Sequence, residues 1–345
     1  MNKNLINLNL QELENVLLSL DEKKFRAKQL FEWFYKKGII DINSISSLST
    51  ELKNKILRNF KIKIPQIFQV AESKSDGSHK FLLKTYDKKL IESILMIKEN
   101  KATICISCMI GCPLKCKFCA TGSDLNFTRK LDHSEIIGQI IAIKNYAIKN
   151  NITKNITNIV FMGMGEPLLN IENVSKAIET LLSPHGFAMS KSRITVSTAG
   201  IVDGLSNFIN KYKVKLAISL HFPTDELRSK FMSINKKYPL NALISEARKI
   251  NLLKREFITI EYLMLDEIND TLDHAKQLVK LLSSLKTKIN LIPYNPIKSF
   301  SAKSSTQKQI DLFAKYLRSK SVMVTVRKSM GTDISGGCGQ FALKE

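Results

Sequence analysis

Apolar positions recur at helical spacing over the first sixty residues. They predict helices at Leu10–Leu20 ahead of Asp21, at Lys24–Lys37 ending on Gly38, and at Ser49–Phe60. In the second of these, Phe25, Leu30, Phe31 and Phe34 share the helix with Lys23, Lys24, Arg26, Lys28, Lys36 and Lys37, which describes a small helical module with a basic face. The period then changes. Asp76-Gly77 marks a turn, and Lys80–Tyr86 and Ile91–Ile97 alternate as two strands joined at Asp87-Lys88, a hairpin. From Thr103 onward short apolar runs alternate with helical segments. The runs are Thr103–Ser107, Ile156–Met162, Arg193–Ser197, Lys215–Leu220, Ile258–Leu265 and Lys288–Ile292. Six strand–helix units imply a parallel sheet, and right-handed crossovers curl it into a partial (β/α)6 barrel. The expected fold class is therefore α/β, in three parts: an N-terminal helical accessory domain at 1–65, a β-hairpin extension at 66–98 and a barrel domain at 99–345. Chemistry in such barrels gathers at the C-terminal ends of the strands. There the sequence places a cysteine-rich loop, Gly163-Met164-Gly165-Glu166-Pro167, Ser197-Thr198-Ala199-Gly200, Ser219-Leu220-His221 and Tyr294-Asn295-Pro296, as one large site would require.

Composition narrows the setting. Of 345 residues 44% are hydrophobic, an ordinary globular fraction. No run approaches the roughly 18 uninterrupted apolar residues of a membrane span. Met1–Leu20 lacks the charged start, apolar block and small-residue cleavage site of a leader, so a cytoplasmic protein with no membrane partner is expected. Lysine and arginine number 53 against 31 acids, a net charge of +22 spread along the chain. RNA is the leading partner for such a charge, although a lysine-rich solvated surface would carry it too. No heptad pattern calls for a second subunit, and a monomer is expected.

Five of the six cysteines lie between Cys105 and Cys119. In a reducing compartment they are not a disulfide framework. Cys112-x-x-x-Cys116-x-x-Cys119 offers three thiolates within eight residues, enough for one loop to wrap a metal centre. Zinc would need a fourth ligand, which Cys105 or Cys108 could provide. A 4Fe-4S cluster with three protein ligands keeps one iron open for substrate. The spacing favours the cluster, since zinc motifs come as paired C-x-x-C knuckles. With Phe118 before the last cysteine, and the loop placed after the first barrel strand, this segment resembles the radical S-adenosylmethionine (SAM) superfamily. The resemblance implies a cluster on Cys112, Cys116 and Cys119 that holds SAM and cleaves it reductively to a 5′-deoxyadenosyl radical. It further implies that Gly165 and Glu166 meet the methionyl amine of SAM, and that Ser197, Ser219, Leu220, His221 and Asn295 contact its ribose, carboxylate and adenine. For His221 only a binding role is expected.

Two cysteines remain to be placed. Cys105 precedes the cluster loop, and Cys338 stands in Ser335-Gly336-Gly337-Cys338-Gly339-Gln340, where glycines predict a mobile, open backbone able to bring a thiol over the barrel mouth. Ile91-Glu92-Ser93, Cys105 to Cys119, Phe161 to Asn170, Thr195 to Gly200, Ser219-Leu220-His221, Tyr294-Asn295-Pro296 and Gly336 to Gln340 together resemble, nearly end to end, the RlmN family of RNA methyltransferases that act on adenine C2. Adenine C2 is an electron-poor aromatic carbon and cannot attack a methyl sulfonium as an amine would. What the resemblance implies is a radical route using two SAM per turnover. Cys338 takes a methyl from the first as a thioether, and the radical from the second activates that methyl for addition to C2. Glu92 removes the C2 proton. Cys105 attacks the Cys338 sulfur, leaving a disulfide that a reductant must reopen. The implied partners are ribosomal RNA (rRNA), transfer RNA (tRNA) and a flavodoxin- or ferredoxin-like electron donor. Cys108, where the family usually has serine, and a Cys119–Arg129 loop about one residue longer than the family's are departures that touch no mapped catalytic group. The alternatives are a sister family that methylates adenine C8 and confers antibiotic resistance, a radical SAM enzyme with a non-RNA substrate, and a zinc-stabilised RNA-binding module.

Overall fold

The computed structural model describes residues 3–343; Met1, Asn2, Lys344 and Glu345, at the ends of the first and last expected domains, lie outside it. Three helices open the chain: α1 (Leu10–Leu18), α2 (Phe25–Phe31) and α3 (Thr50–Asn59). Asn9 and Glu12 cap α1 reciprocally, each side chain bonding the other's backbone N–H, at 2.9 and 2.8 Å. The helix expected over Lys24–Lys37 widens into a π turn at Glu32–Lys36 before Gly38 ends it at φ 73°. Phe25, read as part of the apolar face, is instead exposed beneath the Arg26 guanidinium, and Ala27 and Tyr35 fill the core.

Three antiparallel strands follow: β1 (Gln66–Glu72), β2 (His79–Lys84) and β3 (Leu90–Lys98). The expected hairpin is β2–β3, and β1, whose side chains are mostly solvated and gave no alternating signal, pairs along its outer edge. β3 pairs with β4 (Lys101–Cys105), the first barrel strand. A two-stranded ribbon, β5 (Met109–Ile110) with β6 (Arg129–Lys130), folds the cysteine loop back. Then come β7 (Asn158–Phe161), β8 (Ile194–Thr198), β9 (Lys215–Ser219), β10 (Ile258–Met264), β11 (Thr287–Pro293) and β12 (Met323–Val326). One ten-stranded sheet runs β1-β2-β3-β4-β7-β8-β9-β10-β11-β12, parallel from β4 onward and open at β1 and β12. The six expected strands are present, and β12 extends them by a seventh. Its side chains are largely exposed, so it lacked the apolar signature of the others.

Helices cover the outer face. α4 (Ala120–Ser123) and α5 (His133–Lys149) follow β4, α6 (Ile171–Leu182) follows β7, and α7 (Leu205–Tyr212) follows β8; α8 (Asp225–Phe231) and α9 (Leu240–Arg248) follow β9, α10 (Leu272–Leu282) follows β10, and α11 (Gln307–Ser319) follows β11. α5 begins with a capping box between Asp132 and Glu135, and its buried flank receives the N-terminal module. There His133 Nδ1 donates to Ile6 O at 2.8 Å, Lys144 Nζ to Lys36 O at 2.7 Å and Asn145 Nδ2 to Gly38 O at 2.8 Å. No helix among the described residues is long and apolar enough to cross a membrane.

Candidate active site

The loops after the strands enclose two adjoining cavities. The smaller, about 170 Å³, is lined by Cys112, Cys116 and Cys119, by Gly163, Gly165 and Glu166, by Ser197 and Ser219, and by His221. The larger, about 720 Å³, is lined by Cys105, Thr121 and Phe341, with Lys98, Lys101 and Lys328 around it. Cys119, Met162, Gly163, Arg327, Cys338 and Gly339 border both.

The cysteine loop is set by a buried polar network. Gln139 on α5 accepts from Ser107 N–H at 2.8 Å and from the Ser93 hydroxyl at 2.7 Å, and donates to Ser107 O at 2.9 Å. The Ser107 hydroxyl donates to Glu92 O at 2.6 Å and accepts from Met164 N–H at 2.8 Å. β3, the start of the cysteine loop and the glycine segment are thereby fixed to one another. Burial pushes the cysteine thiols up, Cys112 to about 12. Thiolates at these positions therefore need a compensating cation, the condition under which such side chains serve as metal ligands. Among the described residues no three such side chains converge on a single-ion centre; Cys112, Cys116 and Cys119 line the wall of one cavity.

Beside them Glu166 is buried, accepting from Ala199 N–H at 2.7 Å and Leu168 N–H at 3.1 Å. Desolvation raises its carboxyl to about 7, against those hydrogen bonds. A cationic amine entering the cavity would draw it back to the ionised form. Gly165 has φ 97°, and a Cβ there would stand 2.5 Å from Met109 Cβ, so only glycine brings the chain this close. Ser197 and Ser219 place their hydroxyls 3.5 Å apart across β8 and β9. His221 is neutral: burial pulls it down to about 3, and Nδ1 accepts from Leu263 N–H at 3.2 Å, which leaves the ring proton on Nε2. Leu220 and Asn295 are not brought to either cavity wall. The Leu220 side chain is fully buried in the core, and Asn295 Nδ2 donates to Ser329 Oγ at 3.0 Å and to Cys338 O at 3.1 Å.

Cys105 is buried and Cys338 exposed, both as free thiols. The segment carrying Cys338 corrects the expectation of a mobile backbone, because it is stitched down along its length. Asp333 accepts from Ser73 Oγ at 2.7 Å and Lys74 N–H at 3.0 Å, Lys80 Nζ donates to Ser335 O at 3.2 Å, Ala120 N–H donates to Gly339 O at 2.7 Å, and the Thr121 hydroxyl donates to Phe341 O at 2.8 Å. Its glycines serve close approach instead: a Cβ on Gly336 would lie 2.5 Å from Ile94 Cδ1. Beneath this strap lies Glu92, 1% exposed, ion-paired with Lys80 and accepting from Leu343 N–H at 3.2 Å. It lines neither cavity; the Phe341 and Leu343 segment covers it. Cys108 is a buried small side chain whose thiol donates to Met164 O at 3.6 Å.

Sequence reasoning missed several residues here. Arg228 is fully buried and ties the ends of β8 and β9, Nη2 donating to Ala199 O at 2.5 Å and Nε to Leu220 O at 3.2 Å. A lone arginine on a surface-patterned helix gave no signal. Glu261 could have been noticed as a carboxylate inside the otherwise apolar Ile258–Met264. It is buried at the smaller cavity, and its Oε2 has no hydrogen-bond partner, an orphaned acceptor of the sort a bound ligand satisfies. Thiols, carboxylates and hydroxyls here form a donor set that fits a cluster with a SAM beside it.

Residues 3–62 match the family described as Ribosomal RNA large subunit methyltransferase N-terminal domain, and residues 106–282 match the Radical SAM superfamily. The chain is 43% identical, over 98% of its length and 95% of the relative, to the dual-specificity RNA methyltransferase RlmN of Buchnera aphidicola subsp. Cinara cedri. It is 41% identical to the RlmN of Geobacter sulfurreducens, over 97% of its own length and 90% of that relative. A crystal structure of a radical SAM methyltransferase from Sphaerobacter thermophilus superposes with a TM-score of 0.92 at 33% identity, covering 99% of this chain and all of the other.

Proposed function

From the premise that the chain belongs to the RlmN family of radical SAM RNA methyltransferases, we propose that it methylates C2 of adenosine in large-subunit rRNA and in tRNA next to the anticodon, with the site residues divided as follows. Cys112, Cys116 and Cys119 hold a 4Fe-4S cluster which, with SAM bound, supplies a 5′-deoxyadenosyl radical. Glu166 takes the substrate ammonium of SAM; Ser197, Ser219 and His221 orient the rest by hydroxyl and Nε2–H contacts, and the backbone of Leu220 and the side chain of Asn295 hold the frame. Cys338 carries the methyl as a thioether to the base. Glu92 takes the C2 proton once the strap over it has moved. Cys105 attacks the Cys338 sulfur, releasing product and leaving a Cys105–Cys338 disulfide for an external reductant.

The observation that carries this reading is the position of Cys338, with Cys119, at the border of both cavities, Cys112, Cys116 and Glu166 on one side and Cys105 on the other. A flipped adenine reaching Cys338 would enter through the larger cavity, where Lys98, Lys101 and Lys328 meet phosphates. Residues 1–65 serve as a further basic RNA-holding module, 66–98 as the extension that carries Glu92, and 99–345 as the catalytic barrel. The test is anaerobic reconstitution with iron and sulfide, then incubation with SAM, reductant and unmodified rRNA or tRNA, and mass spectrometry of the nucleosides beside Cys338→Ala. We expect 2-methyladenosine with the wild-type chain and none with the variant. An 8-methyl product would reassign the chemistry, and 5′-deoxyadenosine without methylated RNA would overturn the substrate.

A further inference from the structure

On the cysteine loop, lysines alternate with the residues that wall the smaller cavity. Leu114, Cys116 and Phe118 line that cavity, while Lys115 and Lys117 between them are exposed and line neither cavity. The outer side of the loop is fastened to the end of α8 and the turn after it. Lys117 N–H donates to Phe231 O at 3.0 Å, and the Ser233 hydroxyl donates to Leu114 O at 2.7 Å. That segment adds two further exposed lysines, Lys230 on α8 and Lys236 in the 3-10 turn Ser233–Lys236. Lys117 and Lys230 both reach over the Phe231 ring, their ammonium nitrogens 5.9 and 5.6 Å from its centroid. Beneath them the packing is aromatic: Phe231 stacks on Phe222 at 4.9 Å, and Phe222 meets Phe118, beside Cys119, at 6.0 Å. Among the described residues none of the four lysines forms an ion pair, whereas neighbouring Lys237 meets Asp203 at 3.7 Å. The acids of α8, Asp225 and Glu226, stand at its other end, where Asp225 is taken up by Asn235 and by Leu240 N–H.

We propose that Lys115, Lys117, Lys230 and Lys236 form the docking surface for an acidic electron-carrier protein that reduces the cluster from the outer side of its loop. The proposal rests on the reading of Cys112, Cys116 and Cys119 as cluster ligands. Reductive cleavage of SAM takes one electron per radical, and amino-acid side chains are not reductants of that strength, so the electron arrives from another redox protein. One electron leaves the carrier and one is gained at the cluster; no covalent bond is made or broken at the surface. Electron transfer through protein falls off steeply with distance, so the carrier must bring its redox group close to the cysteine loop. Under the same reading the two cavities are taken by SAM and by the RNA base, which leaves the exposed outer side of the loop as the approach. A carrier with carboxylates around its redox edge meets unpaired ammonium groups there, and such complementarity speeds encounter and fixes orientation. The bonds from Lys117 N–H and the Ser233 hydroxyl present these charges on a fixed base. RNA phosphates would answer the same charge, but the larger cavity that admits the base has its own lysines, Lys98, Lys101 and Lys328.

The test uses the reconstituted full-length protein and, as probe, a reduced flavodoxin of negative net charge, kept below saturation. Freeze-quench electron paramagnetic resonance follows the appearance of the reduced cluster, and photoreduced deazaflavin, a small uncharged donor, replaces the flavodoxin in a parallel series. Lys115→Gln, Lys117→Gln, Lys230→Gln and Lys236→Gln combined should slow reduction by flavodoxin about tenfold or more and flatten its salt dependence. Reduction by deazaflavin should stay within about twofold of wild type, since an uncharged donor is not steered. Removing as many cations from α11 and its C-cap, with Lys308→Gln, Lys315→Gln, Arg318→Gln and Lys320→Gln, should slow the flavodoxin by less than about threefold. A loop-side variant reduced by flavodoxin at the wild-type rate, or an α11 variant slowed as much, would overturn the proposal. So would a loop-side variant that binds rRNA or tRNA fragments more weakly in fluorescence anisotropy while taking electrons from flavodoxin normally, an outcome that gives the surface to RNA. Where glutamine at 115 and 117 lowers the iron content, Lys230→Gln with Lys236→Gln, off the cysteine loop, makes the same comparison. A wild-type protein that shows no reduced cluster with deazaflavin overturns the cluster reading itself, a failure seen without any flavodoxin present.

Discussion

Replacing Lys80 by methionine isolates the buried ion pair beneath the strap. The Lys80 and Glu92 side chains are 9% and 1% exposed and form an ion pair. Lys80 also donates to Ser335 O at 3.2 Å. Without the ammonium, the Glu92 carboxylate stays under the strap with the Leu343 N–H at 3.2 Å as its remaining donor. Removing one partner of a buried pair costs about 3–5 kcal/mol, because the other charge is left desolvated and uncompensated. With a urea dependence of about 3 kcal/mol per molar, the unfolding midpoint by circular dichroism should fall by about 1–2 M. The argument predicts more than a loss. In Lys80→Met with Glu92→Met the orphaned charge is gone, and two apolar side chains of similar volume occupy the space, so most of the lost stability should return. A single variant shifted by less than about 0.3 M, under 1 kcal/mol on the same slope, would refute the claim that the pair is buried and coupled. So would a double variant no more stable than the single.

Three other outcomes follow from the geometry. His133, buried between Ile6 O and Thr180 Oγ1, is pulled by desolvation from 6.5 to about 4. The unfolded chain therefore binds the extra proton first, and this contribution is complete above about pH 6.5 and is lost as pH falls from there through about 4, on the order of 3 kcal/mol; fluorescence of Trp33, the sole tryptophan, should report loosening of the N-terminal module in that window, and His133→Gln should flatten the profile. Gly165→Ala puts a Cβ at φ 97° and 2.5 Å from Met109 Cβ, a strain of about 1–3 kcal/mol; equilibrium dialysis should find SAM binding lost while Gly77→Ala, which meets nothing within 4 Å, keeps it. Asp333→Ala removes the acceptor for Ser73 Oγ and Lys74 N–H, and limited proteolysis should then cut the C-terminal strap earlier than in wild type, an unchanged digestion rate counting against the strap as a held element.

The parts of the fold that could be read in advance are those whose side chains are buried on a regular period. β4 and β7 to β11 are apolar because helices cover one face and the barrel interior the other, and each announced itself. β1 and β12, the two edges, are half solvated, and their composition carries no such mark. The same distinction governs the site. Cysteines and glycines at fixed spacing are local signals, and Gly165 and the three loop cysteines line one cavity. Glu261 becomes meaningful only when strands far apart in sequence are set side by side, its partner Asn290 standing on the next strand, whereas Arg228 has partners in Leu220 and Asn235 nearby in the chain but no periodic pattern to mark it.

The strap shows why local composition misled. Three glycines around one cysteine read as freedom, since glycine gives up the most conformational entropy on ordering. Here that cost is met by contacts that begin elsewhere in the chain, at Ser73, Lys80, Ala120, Thr121 and Asn295. The backbone runs close against Ile94 and Asn295, whose side-chain ends a Cβ on Gly336 or Gly337 would push aside. One consequence couples two groups separated by 246 residues, Glu92 and Cys338. The strap that presents the thiol also closes Leu343 over the carboxylate. On the proposed role of Glu92, meeting a base requires Ala342–Leu343 to move, while Asn295 and Ala120 hold the backbone on either side of Cys338. The bond from Leu343 N–H is made to the carboxylate itself, so it can break without breaking the bonds from Asn295 and Ala120 that hold the backbone beside the thiol.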